Sequence, residues 1–133
     1  MKGRRQRALG QNFLVAEDIA RRIAEVFLAI RGTEEPTPTQ ILEIGPGDGA
    51  LTRHLPRPLT LAEFDPDLIT RWKSETGVTV IAGDAVQTVG PWIQAQDTQV
   101  AVISNLPYNA STAILAHLVE VSTKVPCMVL MFQ

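Results

Sequence analysis

Four short segments of this 133-residue chain hold side chains able to do chemistry, and each follows directly on an apolar run. The first is Glu43-Ile44-Gly45-Pro46-Gly47-Asp48-Gly49-Ala50-Leu51-Thr52. Its alternating glycines permit a tight turn and a close approach of backbone to ligand, with free amides offered by a helix behind. Gly45, Gly47 and Ala50 also satisfy the dinucleotide pattern G-x-G-x-x-G/A, and a bare glycine turn fits the segment as well. The second segment is Ala62-Glu63-Phe64-Asp65, where a carboxylate can accept hydrogen bonds from the vicinal ribose hydroxyls of any nucleoside. The third, Ala82-Gly83-Asp84-Ala85, presents an acid that can accept from the exocyclic amine of an adenine or cap a helix.

The fourth segment, Ile103-Ser104-Asn105-Leu106-Pro107-Tyr108-Asn109, is the most telling. The Asn105 amide oxygen and a neighbouring backbone carbonyl can accept both hydrogens of an amino group on a planar base. Pro107 keeps that carbonyl exposed because it fixes its own φ and restricts the residue before it. Tyr108 can stack on the base face, a contact worth about 1–3 kcal/mol in nucleic-acid binders. Dehydrogenases have no evident use for such an arrangement.

The elements that must position these segments follow from apolar spacing. Ile19, Ile23, Val26, Phe27 and Ile30 recur at helical intervals and predict an amphipathic helix over residues 16–31, with Glu17–Arg21 and Asp18–Arg22 pairs on its wet side. Strands are expected at Ile41–Ile44, Leu59–Phe64, Val78–Ala82, Val100–Ser104 and Cys127–Phe132. Between them come a short helix ending before Pro56, a helix capped by Asp65 with Pro66 at its first position, and a weak helix near Trp92. Leu68, Ile69 and Trp72 give the second of these its apolar face. Ser111 then caps a helix whose inward face is Ile114, Leu115, Leu118 and Val121. Strands this apolar are buried on both faces, and strands alternating with helices imply a parallel sheet with right-handed crossovers. The expected fold is an open, doubly wound α/β sheet, in which ligands sit at the carboxyl ends of the strands. The last strand is expected to be central and covered, so an end at Gln133 suggests an incomplete chain.

Composition adds little beyond the class. Apolar residues make up 45% of the chain and charged ones 20%, which excludes disordered and fibrous proteins. The formal charge of −2 conceals an uneven distribution: four of the twelve cations lie in the first seven residues, leaving a body of net −6. A basic arm over residues 1–8 suits a phosphate-bearing partner or a solvated tail equally well. Cys127 lies in an apolar run and reads as a small buried hydrophobe; no metal cluster, signal core or transmembrane stretch is evident, and the chain reads as cytoplasmic. His54 and His117 stand apart from any nucleophile and read as structural.

Taken in order, these segments resemble the ribosomal RNA adenine dimethyltransferases, particularly the small-subunit dimethyladenosine transferases. The similarity starts at Leu9-Gly10-Gln11-Asn12-Phe13-Leu14, runs through the glycine segment, Glu63, Asp84 and Asn105-Leu106-Pro107-Tyr108-Asn109, and ends at Met131-Phe132-Gln133. The resemblance implies a Rossmann-like domain over residues 1–133, incomplete because the family's C-terminal helical domain is absent. It implies S-adenosylmethionine as cofactor, held by Asn12, Leu14, Gly45, Gly47, Glu63, Asp84 and Asn105, with Asn105, Leu106, Pro107 and Tyr108 at the reacting base. It further implies dimethylation of the exocyclic N6 of two adjacent adenosines near the 3′ end of small-subunit rRNA, with the immature 30S subunit as partner and neither metal nor membrane involved. Ala62-Glu63-Phe64-Asp65 replaces the family's more usual aliphatic-flanked Glu-x-Asp while leaving the carboxylates in place, and the loop between Thr52 and Leu59 is short. Three alternatives stand beside this reading: a large-subunit adenine methyltransferase of the resistance type, a nicotinamide dehydrogenase, and an inactive cofactor- or RNA-binding module.

Overall fold

The computed structural model describes residues 16–106 and 109–132. Helix α1 spans Glu17–Gly32, strand β1 Gln40–Ile44, β2 Leu59–Glu63, α2 Pro66–Lys73, β3 Val78–Ala82 and α3 Ala85–Gln94. Strand β4 (Val100–Asn105), α4 (Ser111–Glu120) and β5 (Cys127–Met131) complete the order. The five strands form one sheet in the order β3-β2-β1-β4-β5, every neighbouring pair parallel. The chain winds outward from β1 through β2 to β3, then returns across the sheet to β4, so the order reverses between β1 and β4. Crevices for ligands open at the carboxyl ends of strands around such a reversal.

Alternation along the strands builds two cores. Ile41, Leu59, Leu61, Ala101, Ile103 and Cys127 point to the face covered by Ala20, Ala24 and Phe27 of α1 and by Leu68 and Trp72 of α2. Leu42, Ile44, Ala62, Val100 and Val102 point to the other, where Val89 and Ile93 of α3 and Ile114 and Leu118 of α4 cover them. The doubly wound expectation therefore holds, and β1, β2 and β4 are buried along nearly their whole length. Both edge strands depart from it: β3 and β5 are largely half-exposed because each has a neighbour on one side among the described residues. The last strand is thus an edge here, where a central, covered position was expected.

Five local expectations change. Ile19, Val26 and Ile30 lie outward, and α1 buries Ala20, Ala24 and Phe27, because the sheet accepts small residues at close approach and one large ring. Arg21 pairs with Asp18 at 3.1 Å and with Glu25 at 3.9 Å, not in the register the four-residue spacing suggested. The short helix after the glycine segment is one 3-10 turn, Thr52–His54. The weak helix near Trp92 is a ten-residue α3 that begins at its Asp84 cap and continues through Pro91. Burial of Val89 and Ile93 outweighs the proline, whose carbonyl still accepts from the Ala95 N–H. Helix α4 starts at Ser111, its expected cap, so the N-cap position falls one residue earlier on Ala110, with no side-chain cap. Asp65 does cap α2, accepting from the Asp67 N–H at 2.9 Å, and Cys127 is buried as expected.

Candidate active site

A cleft of about 500 Å³ lies over the carboxyl ends of the strands. Ile44 and Gly45 line it from the end of β1, and Ala62, Glu63 and Phe64 from the end of β2. Gly83 through Val86 contribute from the β3–α3 connection, and Asn109, Ala110, Ala113 and Ile114 from the start of α4. Three of the sequence-expected residues, Gly45, Glu63 and Asp84, thus share one cavity although they come from three loops. Its walls combine bare backbone, two acids and apolar surface, the mixture that holds small ligands in orientation.

The glycine segment leaves β1 through left-handed backbone at two single residues, Gly45 at φ +68° and Gly47 at φ +57°. The Gly45 N–H donates to the Ala62 carbonyl at 2.8 Å, extending the β1–β2 ladder by one rung and placing the turn beside β2. Glu63 is almost wholly buried, and three backbone amides hold its carboxylate. Oε1 accepts from the Gly47 N–H at 3.3 Å; Oε2 accepts from the N–H groups of Phe64 at 2.8 Å and Asp65 at 2.9 Å. Burial pushes the Glu63 carboxyl above its ordinary range, the three amides oppose that rise, and the charge of Asp65 adds to it. Asp84 is both of the things its sequence context allowed. It caps α3 by accepting from the Val86 N–H at 3.0 Å, and it lies on the cleft wall.

Asn105 ends β4, one residue beyond the Ile44↔Ser104 pair. The buried Ser104 hydroxyl donates to the Ile44 carbonyl at 2.6 Å and so ties the ends of β1 and β4 together. The Leu106 side chain is fully buried in the α3–α4 core, and its N–H donates to the Met131 carbonyl at 3.1 Å. The expected sites at Asn12, Leu14, Pro107 and Tyr108 lie outside the described residues. Neither histidine reaches the cleft: His54 sits on the 3-10 turn, and the His117 ring lies 3.6 Å from Glu120 on α4.

Two residues escaped the sequence reading. Glu43, inside an apolar strand, is fully buried beneath the glycine segment, and its Oε1 accepts from the Thr52 hydroxyl at 2.5 Å. Burial pushes its carboxyl up to about 8; the Thr52 hydrogen bond opposes this, the Glu63 charge adds to it and Arg57 lowers it. An acid within an otherwise apolar strand is the visible signal for such a group. Trp72 was assigned to the apolar face of its helix, which is correct, but its indole N–H also donates to the Gly47 carbonyl at 3.1 Å. A buried indole requires such a partner.

An all-parallel sheet in this order, with a glycine turn after β1 and acids after β2 and β3, has the Rossmann-like architecture of the methyltransferases. The crystal structure of the 23S rRNA methyltransferase ErmE superposes with a TM-score of 0.66 at 26% identity, over 92% of this chain and 48% of that one. The chain belongs to the ribosomal RNA adenine dimethylase family, whose sequence pattern matches residues 3–133. It is 38% identical to the ribosomal RNA small subunit methyltransferase A of Bdellovibrio bacteriovorus, over 96% of this chain and 45% of that protein. The corresponding protein of Leptothrix cholodnii is 37% identical over 90% of this chain and 44% of its own length. The chain thus spans about half the length of the curated relatives it matches.

Proposed function

We propose that the chain binds S-adenosylmethionine in this cleft and forms the cofactor-binding part of an rRNA adenine N6,N6-dimethyltransferase acting on small-subunit rRNA. One observation carries the reading: Gly45, Glu63 and Asp84, from the ends of three successive strands, line a single cavity. An adenosine-type cofactor fits that donor and acceptor set. The glycine backbone accommodates close approach, Glu63 stands where a ribose presents its hydroxyls, and Asp84 where an adenine presents its amine. The exposed Phe64 ring at the cleft wall adds a flat apolar surface.

Bound S-adenosylmethionine supplies an already activated methyl group, so the protein needs no covalent intermediate. The protein's task is to prepare the nucleophile. An adenine amine is poor because its lone pair is delocalised into the ring. In our reading the Asn105 amide oxygen and the Leu106 or Pro107 carbonyl accept its hydrogens, which favours a pyramidal nitrogen with its lone pair directed at the methyl. Tyr108 stacks on the base once it has been flipped out of the RNA. Asn12 and Leu14 close over the cofactor, and the basic residues Lys2 to Arg7 meet phosphates. Positioning and desolvation carry the rate, with no acid–base residue required.

Calorimetry with S-adenosylmethionine and, separately, NAD tests the cofactor; binding of NAD alone would refute it. Methyl transfer to immature 30S subunits tests the substrate. The likeness to ErmE supports a second reading, a large-subunit target, which transfer to 23S rRNA in place of small-subunit rRNA would establish.

A further inference from the structure

We propose that Trp72, supported by Arg71, is a positioning residue of this cleft: it anchors the Gly47-Asp48-Gly49 turn and through it the Glu63 carboxylate. The inference rests on the cofactor reading above, since what it positions is the group assigned to the ribose. Gly47 is gripped on both sides of its Cα. Its carbonyl accepts from the Trp72 indole at 3.1 Å, and its N–H donates to Glu63 Oε1 at 3.3 Å. The next residue is held from the same helix: the Arg71 guanidinium lies 3.8 Å from the Asp48 carboxylate and donates to the Asp48 carbonyl at 3.4 Å. That guanidinium also stacks on the Trp72 ring, 4.8 Å from its centre. The third residue is shaped around the indole. Gly49 has φ +94°, and a Cβ there would meet Trp72 Cη2 at 2.7 Å. Three consecutive residues of the turn are therefore in contact with the last turn of α2.

The ends of the segment are fixed by other means, Gly45 by the Ala62 carbonyl and Thr52 by Glu43. The middle carries its own turn bond, from the Gly49 N–H to the Pro46 carbonyl at 2.9 Å, and Arg53 Nε donates to the Gly49 carbonyl at 3.0 Å, but among the described residues only Trp72 holds the Gly47 carbonyl. Removing the indole N–H frees the Gly47–Asp48 peptide, which loosens the backbone of Gly47 and with it the neighbouring amide that orients Glu63 Oε1. Trp72 itself stays clear of the ligand; it is 4% exposed and absent from the cleft wall.

Titration calorimetry with S-adenosylhomocysteine tests this on the unaltered chain and on Trp72→Phe, which keeps an aromatic ring, though a smaller one, and deletes the donor. The expected result is a loss of affinity of about five-fold, the worth of one hydrogen bond, in a variant whose circular dichroism remains native. A second measurement needs no change at the site. The chain has two tryptophans, and Trp92→Phe leaves Trp72 as the sole indole, whose emission should shift on saturation with the same ligand. A merely structural tryptophan would leave both affinity and emission untouched. Unchanged affinity in a folded Trp72→Phe chain, or an unresponsive Trp72 emission, overturns the anchor while leaving the cofactor reading intact. If Trp72→Phe does not fold, the emission measurement decides alone. Failure of the unaltered chain to bind the ligand overturns the cofactor reading itself.

Discussion

Replacing Glu43 by Gln should remove a pH dependence that one buried carboxyl imposes on the whole fold. Glu43 is fully enclosed, with the Thr52 hydroxyl on its Oε1, and the nearby charges are Glu63, which raises its pKa, and Arg57, which lowers it. Its carboxyl is pushed from 4.5 to about 8, chiefly by burial. Between those two values the folded chain keeps a proton that the unfolded chain releases. The stability of the natural chain therefore falls as pH rises through this window and levels off above it. Each tenfold change in proton affinity corresponds to about 1.4 kcal/mol, so the full window amounts to roughly 5 kcal/mol, a large part of a typical domain's stability. Gln is neutral throughout and can still accept from Thr52. Urea unfolding of both chains at intervals from pH 5 to 9 would measure the effect. The Gln variant should gain progressively on the natural chain as pH rises, with the difference flat above about 8, while contributions from carboxylates that do not interact with Glu43 cancel. Parallel profiles for the two chains would refute the reasoning, because they would mean that Glu43 is ionised in the fold or that water reaches it.

Three further outcomes follow from the site. Gly49→Ala combines a left-handed φ with the Trp72 contact and should cost about 2–3 kcal/mol, read as a lowered thermal midpoint; an unchanged midpoint would mean that the turn relaxes freely. Glu63→Ala should weaken S-adenosylmethionine binding before it affects anything downstream, and unchanged affinity in calorimetry would count against the ribose assignment. Asn105→Ala should abolish methyl transfer to immature small subunits while reducing cofactor affinity only modestly, if its main partner is the target base as proposed; equal loss of both would argue for a cofactor role instead.

Much of this protein was legible in one dimension. The strand sequences are apolar at both parities, which called for cover on two faces from the helices between them; β1, β2 and β4 have it, while the edge strands β3 and β5 are left half-exposed. Asp65-Pro66 announced the start of α2 because a cap and a proline act within one turn of where they stand. Glu63 and Asp84 could be selected because they end strands, and the sheet gathers strand ends. The side chains that face the core from α1 were not legible: Ile19, Val26 and Phe27 are equally apolar, and rotating the helix by part of a turn exchanges them. Only docking on the sheet, with Ala20 and Ala24 allowing close approach, chose which are buried. The helix near Trp92 read as weak along the chain, and burial of Val89 and Ile93 carries it through ten residues despite the proline within it.

Local chemistry, then, was decided by the sequence: the glycines that can turn, the acids that can accept, and the apolar runs that must be hidden. What required the folded chain were the long-range bonds, the Trp72 indole on a loop 25 residues away and the Thr52 hydroxyl on a carboxylate sealed below it. Such bonds depend on which atoms share a dry interior, where an unpaired polar group is costly, and that is a property of packing in three dimensions, not of order along the chain.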